Sequence, residues 1–115
     1  MKFYNLLWSC ALITAFAVNA AENSSPMKVK SIESRYSGAH ALYGSSTIPD
    51  QGCTLKDRGI IVETDAGSKT MISVALSALV SGKQAIVQVS GCTMISPGHG
   101  VETAPKITKF HMLAE

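Results

Sequence analysis

The chain opens on an apolar run from Leu6 to Val18, broken only by Ser9 and Thr14, and then changes to short alternations. Met27, Val29 and Ile32 alternate with charged or small polar residues, which predicts a half-buried strand over 27–36 with a bulge near Ser31. Residues 39–43 read as a second, short strand, and the turn-rich stretch 44–52 as loop. The β-branched run at 59–63 predicts a third strand. Residues 65–68 break it, and Ser68 or Asp65 is placed to cap a following helix.

That helix is expected over 69–80. Ile72, Ala75, Leu76 and Leu79 recur at helical spacing, with Met71 and Ala78 flanking the stripe. Ser73, Ser77 and Ser81 form an opposite solvated face, and Gly82 supplies a left-handed stop. Residues 84–89 then read as a strand, 94–104 as a loop with Ser96–Gly100 at its tip, and 106–113 as a final bulged strand. The pattern is that of a mainly β domain with one α-helix.

The opening run has a different purpose. Met1-Lys2 gives a positive start, the apolar core is 13 residues long, and Val18-Asn19-Ala20 places small residues where a signal peptidase reads. A spanning helix needs about 20 apolar residues, and no later stretch approaches that. Residues 1–20 are therefore expected to be a signal peptide, cleaved after Ala20 or at the neighbouring Ala21. A lipoprotein reading of Cys10 fails because Trp8 is too bulky for a lipobox and most of the apolar core follows Cys10. Residues 21–26 form a flexible or extended lead-in, and 27–115 one small domain.

Removal of residues 1–20 leaves 95, with nine basic and eight acidic side chains and no basic run. Nucleic-acid binding calls for a concentrated basic face, and single-strand binding for aromatic platforms. The remaining chain has only Tyr36, Tyr43 and Phe110, so no nucleic-acid partner is expected. Two cysteines remain, Cys53 and Cys92. An even count in an exported domain predicts a disulfide, and only one pairing exists. A cysteine metal site would need closely spaced pairs that this chain lacks.

Catalytic chemistry has few candidates. His99 lies between Gly98 and Gly100, but nothing else in its loop completes a nucleophilic set. His111 reads as a strand surface position, and His40 carries no signal. A metal site would require these three histidines to converge from separate segments. Asp50, Asp57, Glu63 and Asp65 offer a carboxylate pair only on paper, since acids in a turn region are ordinarily solvated. Asn23-Ser24-Ser25 matches a glycosylation sequon whose use depends on the host. The reading is of a non-enzyme, with no cofactor and no metal.

The segment from Cys53 to Cys92, ending MISVALSALVSGKQAIVQVSGC, resembles the binding subunits of bacterial five-fold toxins, in layout the subtilase-cytotoxin and pertussis-like B-subunit group. It is also similar to small secreted proteins of Gram-negative bacteria. The resemblance spans residues 52–113 and implies an OB-like β-barrel with the helix packed across its end, assembled as a ring that binds surface glycans. Only two cysteines, few aromatics and a shorter N-terminal half depart from that group, and no glycan-binding residue carries over. The expectation is a secreted, non-catalytic binding module for a cell-surface glycan, able to form homo-oligomers. The alternative is a periplasmic inhibitor or accessory protein acting on a partner protein through the 94–104 loop.

Overall fold

The computed structural model describes residues 20–35, 37–95 and 102–114. The segment expected to be a signal peptide, up to Asn19, lies outside them with Cys10. Tyr36 and the loop tip with His99 lie outside as well. Among the described residues there are β1 (Glu22–Asn23), β2 (Met27–Ser34), β3 (Ala39–Gly44), β4 (Gly59–Val62), α1 (Ser68–Ser81), β5 (Gln84–Met94) and β6 (Thr103–Met112). Mainly β with one helix is what forms.

Strand β2 buries Met27 and Val29 and exposes Lys28 and Lys30, the alternation expected of a half-buried strand. Its ladder with β3 slips between Val29 and Ser31, where the bulge was expected. The β2–β3 turn closes through Gly38 at φ 89°, whose amide donates to the Arg35 carbonyl at 3.0 Å. Strand β4 opens on Gly59, where a side chain would come within 2.7 Å of Ile107.

The start of α1 departs from expectation. Gly67, at φ 77°, occupies the N-cap position, and no side chain caps the helix. Ser68 is buried, and its hydroxyl donates to the Glu63 carbonyl at 2.6 Å. It fastens the helix to the end of β4 instead of capping it. The other end behaves as read: Gly82, at φ 71°, donates its amide to Ala78 at 3.0 Å. Ala75 and Ala78 are fully buried, whereas Leu76 is 46 % exposed. Two alanines facing the sheet let the helix axis sit close, and Leu76 is rolled outward.

The antiparallel and parallel pairings run in the order β1-β5-β2-β3-β4-β6, with β6 also paired along β5. The OB-like barrel is corrected to a six-stranded sheet, because two of the pairings that would close a barrel, β2–β5 and β4–β6, are too thin to do so. Its long ladders make two antiparallel blocks, β2-β3-β4 and β5-β6. The seams between the blocks are thin: two residue pairs join β2 to β5, and the single parallel pair Ile60↔Lys106 joins β4 to β6. Burial follows that architecture. One core of Met27, Val29, Leu42, Ile61, Val87 and Ile107 lies under α1. A second, smaller core of Ala39, Ala41, Ile60, Ile95 and Ala104 lies on the opposite face of β3 and β4.

Strand β5 is longer than the pattern suggests. It runs through Gly91, which takes φ 69° at a register shift between Val89 and Cys92. A glycine expected to end the strand is a bulge inside it. Cys92 then meets Cys53, 39 positions earlier in the sequence, in a disulfide with Cα atoms 5.6 Å apart. Among the described residues no helix is long and apolar enough to cross a membrane.

Candidate functional site

Two loop segments, 44–48 and 54–57, face each other across an open groove of about 640 Å³. Local chemistry fixes each wall. At the first, Gly44 leaves room for Met27, whose sulfur would overlap any side chain there. The Ser45 amide donates to the Lys28 carbonyl at 2.9 Å, and the Lys28 amide donates back to the Ser45 hydroxyl at 2.9 Å. Ile48 anchors the far end by entering the core beneath α1.

The second wall is stitched to the start of β6. The Thr54 hydroxyl donates to the Thr103 carbonyl at 3.0 Å and accepts from the Thr103 amide at 2.7 Å. The Leu55 amide donates to the Thr103 carbonyl at 2.8 Å. Cys53, held by the disulfide, is the residue before Thr54. The groove is thus a fixed shape with hydroxyls on both sides, from Ser45, Ser46 and Thr47 and from Thr54.

Charges at its rim are matched in pairs. Lys56 Nζ lies 3.1 Å from Asp50 Oδ2, and the Arg58 guanidinium spans Asp57 at 2.9 and 3.2 Å. The Gly52 amide, donating to Asp50 at 2.8 Å, and then Lys56 hold the Asp50 carboxyl below its ordinary value. Arg58 does the same for Asp57, and Asp57 raises the Arg58 guanidinium in return. Arg58 also lies over the Tyr43 ring, 5.0 Å from its centre.

The four acids weighed as carboxylate pairs do not pair with one another. Asp50 meets Lys56, Asp57 meets Arg58, Asp65 meets Lys106 and Glu63 meets His40. His111 is exposed on β6, opposite Ile86. His99 lies outside the described residues.

His40 is the residue that sequence reasoning missed. Its Nδ1 lies 2.8 Å from Ser34 Oγ, its cross-strand partner, and its Nε2 lies 3.4 Å from Glu63 Oε2. These are the residue types of a nucleophile, base and acid. Yet Nε2 is buried without a hydrogen bond of acceptable geometry, so the carboxylate does not orient the ring as a catalytic acid does. The ring is held instead where the ends of β2, β3 and β4 meet. The Ser34↔His40 register follows from the hairpin, and that is the signal that could have found it.

Beside the disulfide, Gln51 is 2 % exposed. Its Oε1 accepts from the Gly91 amide at 3.0 Å, and its Nε2 donates to Glu22 Oε1 at 2.9 Å and to the Ala20 carbonyl at 3.3 Å. Ala20 and Ala21, the expected cleavage positions, are both exposed. Ser24, three residues further on, is buried and bonded both ways to Val87. Among the described residues no group of three or more metal-ligating side chains forms.

No protein-family model, curated protein or solved structure matches this chain. The toxin-subunit layout draws no support from that quarter, and the OB-fold description gives way to the six-stranded sheet described above.

Proposed function

We propose that the protein is an exported, non-catalytic binding module that takes a hydroxyl-rich ligand, a glycan, in the groove between 44–48 and 54–57. The observation that carries this reading is the groove itself: about 640 Å³, with side-chain hydroxyls on both walls. Concave sites of a few hundred Å³ with a small number of placed polar groups are where ligands bind. Both walls are braced by hydrogen bonds and a disulfide, so little ordering cost falls on binding. The disulfide also fits an oxidising compartment, which supports the expected processing after Ala20.

A glycan array followed by calorimetry on the best ligand tests the reading. Thr47 is exposed at the groove wall, so Thr47→Leu fills the groove and removes a hydroxyl with a stability change within about 0.5 kcal/mol. The variant is expected to bind at least tenfold more weakly. Unchanged affinity in Thr47→Leu, or an array with no retained glycan, would remove the groove as the site. Intact mass of the secreted form should correspond to a chain starting at Ala21 or Glu22.

A further inference from the structure

We infer that the glycan accepted by this groove is uncharged, an inference that rests on the groove being a glycan site. The charged side chains lining it are Lys56 and Asp57, with Asp50 and Arg58 adjoining. Two cations and two carboxylates sum to zero. Both cations are already engaged: Lys56 with Asp50 at 3.1 Å, and Arg58 with both oxygens of Asp57.

A sialic acid carboxylate or a sulfate is bound tightly by charge-assisted bonds, above all to a guanidinium fork with open donors. Here the fork faces Asp57 and its flat side covers Tyr43. An anionic sugar entering the groove would displace one carboxylate from its partner while meeting the other's repulsion. A neutral sugar has no such conflict. Its hydroxyls can donate to the remaining lone pairs of Asp50, Asp57 and the Thr54 hydroxyl and accept from the Ser45, Ser46 and Thr47 hydroxyls on the facing wall. Among the described residues no aromatic side chain lines the groove, so recognition rests on hydrogen bonds more than on ring stacking.

The test pairs neutral oligosaccharides with the same cores bearing sialic acid or sulfate, measured on the wild type and on Asp50→Asn. The asparagine keeps an oxygen for the Gly52 amide but releases Lys56. The wild type is expected to favour the neutral form at least tenfold, with less than a twofold change between low and high salt. Asp50→Asn should narrow that preference several-fold. A wild type that prefers the anionic form, with affinity falling steeply as salt rises, overturns the inference. If Thr47→Leu still abolishes that binding, the groove stands as the site. An Asp50→Asn variant with the wild-type preference also overturns it, because the paired charges would then not be the cause. Failure to bind either form overturns the groove reading and the inference with it.

Discussion

Gln51 shows what one buried amide does in a small domain. It lies in a turn-rich loop, a setting in which a glutamine is ordinarily solvated, yet it is 2 % exposed. Its carbonyl receives the Gly91 amide and its nitrogen reaches Glu22 and Ala20. It therefore joins the N-terminal segment to the bulge of β5, next to the disulfide. Gln51→Leu keeps the bulk but leaves the Gly91 amide and the Glu22 carboxylate without this partner. A cost of about 1–3 kcal/mol is expected, measured by urea denaturation. A cost below about 0.5 kcal/mol would show that the amide braces nothing. His40 teaches a related lesson. A lone histidine among small residues carried no signal because its partners, Ser34 and Glu63, reach it only through strand register.

Between residue and fold, the loop over 50–58 behaves as an element of its own, held by ion pairs and by the Gly52 amide. Asp50 and Asp57 sit below their ordinary value of 3.8 when folded. A depressed folded value means stabilisation that is present above the unfolded value and lost as pH falls through the folded one. Both carboxylates are exposed, so the effect is local and small for the domain as a whole. The Gly52 amide resonance should hold steady from pH 8 to about pH 4 and move only below it, as Asp50 gains a proton. A transition near pH 6–7 would contradict this assignment.

The helix with its glycine stop, the β4 run, the β2 bulge and the cysteine pairing were all legible in the sequence, because each is written in local pattern or in a count. Three features were not. Leu76 matches the helical stripe, but Ala75 and Ala78 take the core because small side chains allow the closest approach. Ser90-Gly91-Cys92 reads as a strand end, while a left-handed glycine carries the strand through as a bulge. The groove exists only after Thr54 is stitched to Thr103, which is 49 residues away.

At the scale of the molecule, two cores share one sheet, and neither is large. One lies under α1, and the other is a patch of alanines and isoleucines behind β3 and β4. A domain of this size has a net stability of about 5–15 kcal/mol, so the Cys53–Cys92 clamp carries weight. Replacing both Cys53 and Cys92 by serine should cost about 2–4 kcal/mol, read from the urea midpoint with the slope checked for a change in the unfolded state. It should also weaken any groove ligand, since Cys53 precedes the Thr54 wall. Stability within about 0.5 kcal/mol of the wild type would mean that packing alone holds the loops.

Strand β5 pairs with β1 and β2 from the beginning of the domain and with β6 from its end. It is the meeting place of the earliest and latest pieces, and it carries Cys92. A nascent chain emerging in order has nowhere to put β1, and Cys53 cannot meet Cys92, until β5 has been synthesised. Assembly is therefore late and dominated by distant partners, which makes it slow. The β2-β3-β4 block, complete by Val62, can pair before that point, while β1 and the disulfide wait for β5.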